Sequence, residues 1–157
     1  MIHILFVCLG NICRSPMAEF VMKDLLKKQG LSDRVQAASA ATSTWEIGNP
    51  VHHGTKSKLA EHGISCKGKT ARLLTRSDYA AYDYIIGMEQ SNMDDMLDML
   101  GGDPQGKLSL LLDWTGERRA IADPWYTHDF EATWQDVLRG CNALLAYIAH
   151  ENGWTLR

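Results

Sequence analysis

Cys8 and Arg14 lie six positions apart in the run Cys8-Leu9-Gly10-Asn11-Ile12-Cys13-Arg14-Ser15-Pro16, directly after an apolar stretch from Ile2 to Val7. That spacing places a cysteine at the end of a buried strand, facing the start of a helix. Helix N-termini present unpaired N–H groups and partial positive charge. Cysteines beside them or beside arginine titrate at roughly 3.5 to 7.5 instead of about 8.5, so a thiolate is available without a separate base. The same N–H groups, with Arg14 as a bidentate fork, match the oxygens of a phosphate-sized dianion. Gly10 and Asn11 are the residues best able to take positive φ, which a loop with inward-turned amides needs. Ser15 is placed to give its hydroxyl to the Cys8 sulfur. Free cysteines are more often inert small hydrophobes, but here Cys8, Gly10, Asn11, Arg14, Ser15 and Pro16 stand together between a strand and a helix. The chemistry this combination suits is nucleophilic attack on phosphorus.

Cleaving a phosphate ester also needs an acid for the leaving group, and Ala122-Asp123-Pro124-Trp125-Tyr126 offers one. Pro124 pushes Asp123 into an extended conformation, away from helical geometry, so its carboxyl is expected to project from the loop instead of capping something. Asp-Pro alone usually marks a turn, the reading we give to Asp103-Pro104. The two aromatics behind Asp123 set it apart.

The elements that must position these groups alternate between strand and helix signals, which predicts a parallel sheet covered on both faces. Ile2 to Val7 reads as a central strand. A helix from about Pro16 to Gln29 follows, with Ser15 as its cap, Pro16 in its first position and Gly30 ending it. Val35 to Ala41 is the second strand and Val51 to His62 the second helix, with Gly63 behind it. Thr75 with Asp78 resembles a capping box for a short helix. Tyr84 to Met88 is the third strand, and Ser91 precedes a helical stripe of Met93, Met96, Leu97 and Leu100. Leu108 to Leu112 is the fourth strand. Trp134, Val137, Leu138, Cys141, Leu144, Leu145 and Ile148 then recur at helical spacing. The expected architecture is a single-domain, doubly wound four-stranded parallel sheet spanning residues 1–157, with helices on both faces. Ligands of such folds bind beyond the carboxyl ends of the strands, where Cys8 falls.

The composition narrows the function further. At 45% hydrophobic and 22% charged residues, the 157-residue chain has ordinary globular usage, with no low-complexity tract or internal repeat. A net charge of -3 with scattered Lys and Arg gives no basic field for nucleic acid or an anionic membrane. No apolar stretch reaches the roughly 20 residues that span a bilayer, and no signal segment precedes the first strand. Four cysteines in this length do not form a secreted disulfide framework, so reduced thiols and a cytoplasmic location are expected. His52 and His53 are adjacent, read as exposed at a helix start, and Cys8 with Cys13 has no matching second pair. No metal site and no cofactor are expected.

The segment Val7-Cys8-Leu9-Gly10-Asn11-Ile12-Cys13-Arg14-Ser15-Pro16-Met17-Ala18-Glu19, together with Asp123-Pro124-Trp125-Tyr126, resembles the low-molecular-weight protein tyrosine phosphatases. The likeness runs along nearly the whole chain, through Thr42 to Gly48, His62-Gly63-Ile64 and Asp83-Tyr84-Ile85-Ile86. It implies the phosphotyrosine protein phosphatase I-like fold. By this resemblance Cys8 attacks phosphorus to form a phosphocysteine, and Arg14 with the loop from Leu9 to Ser15 holds the oxygens. Asp123 protonates the leaving phenolate, then serves as base for the water that releases phosphate. The resemblance also places Trp45, Trp125 and Tyr126 as walls too deep for phosphoserine to reach the thiolate. A phosphotyrosine-containing protein is the implied partner, with inorganic phosphate as product and inhibitor and a monomer as the working form.

Within that resemblance Ile12 points to phosphotyrosine, because phosphoarginine-directed members of the superfamily tend to carry threonine there. Cys13 is implied as redox partner, capturing oxidised Cys8 as a disulfide. Thioredoxin-coupled arsenate reductases share the first loop, but they relay a disulfide through further cysteines, usually a close pair near the third strand. Here that region holds Gly87 and Met88, while Cys66 and Cys141 stand alone. A phosphate-binding module without catalysis is the other rival, and intact Cys8, Arg14 and Asp123 argue against it. Ser39-Ala40-Ala41-Thr42 departs from the usual Ser-Ala-Gly-Thr. Lys67 to Lys69 is locally basic, and reads as a solvated turn or as a preference for acidic sequences around phosphotyrosine.

Overall fold

The computed structural model describes residues 1–157. Four parallel strands stand in the order β2-β1-β3-β4: β1 (Ile2–Cys8), β2 (Val35–Ala41), β3 (Tyr84–Gly87) and β4 (Leu108–Leu110). The central strand β1 shows why helices cover both faces. Its alternate residues divide between two clusters: Ile4, Phe6 and Cys8 pack with the first and last helices, and Leu5 and Val7 pack with Ile85, Met96 and Leu100. A strand buried on both faces reads as a continuous apolar run, as Ile2 to Val7 does.

The helices are α1 (Arg14–Lys28), α2 (His53–Glu61), α3 (Asp78–Ala81), α4 (Gln90–Leu100), α5 (Pro124–Thr127) and α6 (Phe130–Asn152). The helical stripe near the C-terminus is buried as its spacing predicts, with Trp134, Val137, Cys141, Leu144, Leu145 and Ile148 all in the larger cluster. Gly140 lets α6 approach closely. A Cβ there would lie 2.4 Å from Leu111 Cγ, well inside van der Waals contact. No helix is long and apolar enough to cross a membrane.

Three expected boundaries are corrected. The fourth strand stops at Leu110, and Leu111–Thr115 turns into a 3-10 helix whose cap is made by Asp113, Oδ2 of which accepts from Leu110 N at 2.9 Å. The second helix starts at His53 instead of Val51. The first helix begins at Arg14, two residues before Pro16, which therefore occupies the third helical position. Ala41, the residue that departs from the usual pattern, is the last residue of β2 and pairs with Cys8. Its methyl group is accommodated in regular strand, fully buried.

Candidate active site

Between β1 and α1 the chain turns through residues 9–13 with its carbonyls bound outward. Cys8 O accepts from Thr42 N at 3.0 Å, Leu9 O from Ser43 N at 3.0 Å, Ile12 O from His52 N at 2.9 Å and Cys13 O from Met17 N at 3.2 Å. The amides of residues 9–14, by contrast, donate to no acceptor within the chain. Asn11, Ile12, Cys13 and Arg14 are nonetheless buried. Buried N–H groups without partners are rare in folded chains and mark a place where something else is bound. Asn11 makes the turn possible at φ 58°, whereas Gly10, contrary to expectation, is absent from the positive-φ positions.

Asn11 also sets the direction of the hydrogen bonds around Cys8. The Arg72 backbone N–H can only donate, and it reaches Asn11 Oδ1 at 3.2 Å. Asn11 Nδ2 is thereby turned toward Ser15 Oγ, to which it donates at 2.7 Å. The Ser15 hydroxyl lies 3.0 Å from Cys8 Sγ and the Ser15 N–H donates to the same sulfur at 3.4 Å. The Ser15 hydroxyl is thus placed to donate to a thiolate at this position, since a thiolate sulfur can only accept. Ser15 does not cap α1; its hydroxyl is committed to the sulfur, and the cap position falls to Cys13, which makes no side-chain bond there.

Arg14 is 2% exposed, the bulkiest fully buried side chain, and it is held from three directions. Nη1 donates to Glu89 Oε2 and to Ile121 O at 2.8 Å, and Nη2 donates to Asp123 Oδ2 at 3.3 Å. A guanidinium has five N–H donors. Three are used, leaving the second Nη2 proton and the buried, unpartnered Nε–H. Burial pushes the Glu89 carboxyl up, but hydrogen bonds from Ser91 and Arg14 and the Arg14 charge outweigh it and hold Glu89 below the usual carboxylate range. Glu89 was not a candidate from sequence. Its position just beyond the end of β3, on the ligand-bearing edge of the sheet, is the signal that could have found it.

Asp123 is extended, at φ -79° and ψ 114°, as Pro124 requires. Its carboxyl does not simply project, however. Oδ1 caps the short helix α5 by accepting from Trp125 N at 3.0 Å, and Oδ2 faces Arg14.

The structure brings nearly every expected residue to one cleft of about 140 Å³, lined by Cys8, Leu9, Gly10, Ile12, Cys13, Arg14, Trp45, Glu46, Asp123, Trp125 and Tyr126. Asn11 and Ser15 sit behind the loop instead of in the cleft. Trp45, Trp125 and Tyr126 are 74%, 51% and 73% exposed, so they are rim residues and not core. The Trp45 segment is tied to the loop by Ser43, whose hydroxyl donates to Leu9 O at 2.8 Å. Cys13 is different from Cys8: burial first, then the neighbouring Cys8 and Asp123 charges, push its thiol up to about 12.

Two expectations about the surroundings are corrected. His52 is not free in solvent. It is half-buried, caps α2 by accepting from Gly54 N at 3.0 Å, and stacks on His53 and Phe130 with its edge toward Trp125. Lys69 is not part of a solvated turn. Its ammonium donates to Ser39 O at 2.9 Å and pairs with buried Glu19 at 3.3 Å, while Lys67 stays exposed. No group of three His, Cys, Asp or Glu is arranged to hold a metal ion.

A parallel sheet with a loop of unpartnered amides and a cysteine at the carboxyl end of its central strand suits an α/β enzyme that acts on an oxyanion. The sequence model described as Low molecular weight phosphotyrosine protein phosphatase matches residues 3–153. The low molecular weight protein-tyrosine-phosphatase YfkJ of Bacillus subtilis is 43% identical over 153 residues, covering 96% of this chain and 98% of that protein. The YfkJ crystal structure superposes with a TM-score of 0.93 over 96% of each chain. The SP-PTP structure from Streptococcus pyogenes, a low molecular weight protein tyrosine phosphatase, is 43% identical with a TM-score of 0.84, covering 94% of this chain and 93% of that one. A Drosophila arginine phosphatase shares the fold at 31% identity and a TM-score of 0.83, covering 92% and 96%. The chain belongs to the low molecular weight phosphotyrosine protein phosphatase family and is a protein-tyrosine-phosphatase, a phosphoric monoester hydrolase.

Proposed function

We propose that this phosphatase hydrolyses phosphotyrosine in two displacement steps through a phosphocysteine. In the first, the Cys8 thiolate attacks phosphorus, the bond to the phenolic oxygen breaks, and Asp123 gives that oxygen a proton. In the second, water attacks phosphorus while Asp123 takes its proton, the sulfur–phosphorus bond breaks, and inorganic phosphate leaves with the Cys8 thiolate restored. The observation that carries this reading is the set of unpartnered donors around one sulfur: the amides of residues 9–14 and the free Nε–H of Arg14. Donors fixed in advance stabilise the charge that builds on phosphoryl oxygens without reorganising as the reaction proceeds.

The exposed rings of Trp45, Trp125 and Tyr126 above a narrow cleft suit an aryl phosphate, whose phosphorus reaches further from the backbone than that of phosphoserine. Ile12 offers an apolar wall to the substrate ring, which favours phosphotyrosine over phosphoarginine. Product phosphate fits the same donors and therefore competes with substrate. Every group of the reaction comes from one chain, so a monomer acting as one domain over residues 1–157 is sufficient. Four unpaired thiols suit a reducing compartment such as the cytoplasm.

Cys13 supports a protective role. Its high thiol pKa keeps it from competing with Cys8 for phosphorus. Peroxide converts Cys8 to a sulfenic acid; the Cys13 sulfur then attacks the Cys8 sulfur, water leaves, and a disulfide forms. Losing the Cys8 charge also removes one cause of the raised Cys13 pKa.

The test is phosphate release from a phosphotyrosine peptide and from p-nitrophenyl phosphate, in EDTA and reductant. Activity is expected in wild type, none in Cys8→Ser, and a kcat lower by about 10² to 10⁴ in Asp123→Ala. Wild type that releases no phosphate but reduces arsenate with thioredoxin overturns the reading.

A further inference from the structure

The catalytic cleft opens sideways into a second, larger depression of about 1050 Å³ that the two-step reaction does not use. Ile12, Glu46 and Trp125 line both, so the groove adjoins the cleft on one side. One bank is α2 with Lys56, and the other is the 63–69 turn with Lys67. Both lysines are exposed, and neither is among the lysines that pair with a carboxylate. Lys69 also borders the groove, but Glu19 neutralises it. The one acidic lining residue, Glu46, is turned to Asn49, whose Nδ2 donates to it at 2.6 Å. In a chain with net charge -3, this groove beside the cleft carries two exposed ammonium groups without a carboxylate partner.

We propose that this groove, resting on the phosphotyrosine reading of the cleft, selects phosphotyrosine segments whose flanking residues are acidic. The occupant is an extended acidic peptide. Its phosphotyrosine fills the cleft, and its Asp or Glu side chains, on one side of that residue only, lie between Lys56 and Lys67. Complementary charge of this kind acts through encounter and affinity, leaving the chemical step alone.

Two series of phosphotyrosine peptides test this, one with Asp and Glu on the N-terminal side and one with them on the C-terminal side. Each is compared with its Asn and Gln counterpart by kcat/KM, with p-nitrophenyl phosphate as the reference substrate. Exposed ion pairs are individually weak, so two of them give a preference of about 3-fold to 10-fold for one acidic series at low salt. The preference shrinks at high salt. Lys56→Ala with Lys67→Ala removes it, and Lys56→Glu with Lys67→Glu reverses it, both leaving p-nitrophenyl phosphate turnover unchanged. Wild type with equal kcat/KM for acidic and amide peptides overturns the proposal, as does a preference that survives both variants. Failure of the underlying reading is a separate result: no phosphate release from p-nitrophenyl phosphate or from any peptide.

Discussion

Asn11 illustrates how much of the reactive centre rests on individual side chains. Its amide is oriented by the Arg72 N–H and in turn donates to Ser15, whose buried hydroxyl lies 3.0 Å from the Cys8 sulfur. Ile12, 9% exposed and packed with Phe130 and Ala71, lines the cleft, and the proposed reading makes it the wall that sets substrate choice. Ile12→Thr is expected to gain phosphoarginine hydrolysis while keeping some phosphotyrosine activity; unchanged selectivity, measured as the ratio of the two kcat/KM values, contradicts that role. Cys13→Ser is expected to recover from peroxide more poorly than wild type when reductant is restored, because its Cys8 sulfenic acid goes on to irreversible oxidation. Equal recovery of activity removes Cys13 from the account. Cys8, Arg14 and their loop were legible because the whole motif is local in sequence. Glu89 and the double duty of Asp123 were not: Arg14 meets these two carboxylates across 75 and 109 positions, and no local spacing reports such a meeting.

At the scale of elements, short caps hold the cleft in shape. His52 begins α2 through a neutral imidazole, since Nδ1 must accept from Gly54 N. Burial, with the His53 charge next, lowers its pKa from 6.5. As pH falls through 6.5 toward that lowered value, the unfolded chain binds the proton before the folded one does, and stability declines. His52→Asn keeps an acceptor at the cap without a titrating group. Its Tm is expected to fall less than that of wild type between pH 7 and pH 5, and parallel Tm curves contradict the assignment. The short elements were also the hardest to read. The fourth strand ends at Leu110 because Asp113 caps a 3-10 turn there, although Leu111 and Leu112 continue the apolar run into the core. Helix α5 is a single turn built by Asp123 and Pro124, too brief for any periodicity to reveal. The long amphipathic α6 and the doubly buried β1 were plain, since burial imposes a repeat on every residue.

For the whole molecule, topology explains why the site is where it is. After β1 the chain crosses to β2 on one side, and later returns through β3 on the other. The segments that follow β2 and β3 therefore flank the loop that follows β1: Trp45, after β2, lines the cleft, and Glu89, after β3, holds Arg14. Asp123 arrives from beyond β4, anchored by Ile121 N, which donates to Met88 O at 2.9 Å. Fold class follows from alternating patterns along the chain, whereas half-buried Lys69 shows their limit. The Lys67-Gly68-Lys69 run looks solvated until Glu19, far away in sequence, is seen to face Lys69. The central claim is that the phosphoryl group rests on Cys8 between the two steps. The most direct measurement is mass spectrometry of Asp123→Ala quenched in acid during turnover of p-nitrophenyl phosphate, a substrate whose leaving group departs without acid help. The account predicts one added phosphoryl group, on the Cys8 peptide and absent from Cys8→Ser; full turnover with Cys8 never modified, or with the label on another residue, contradicts it.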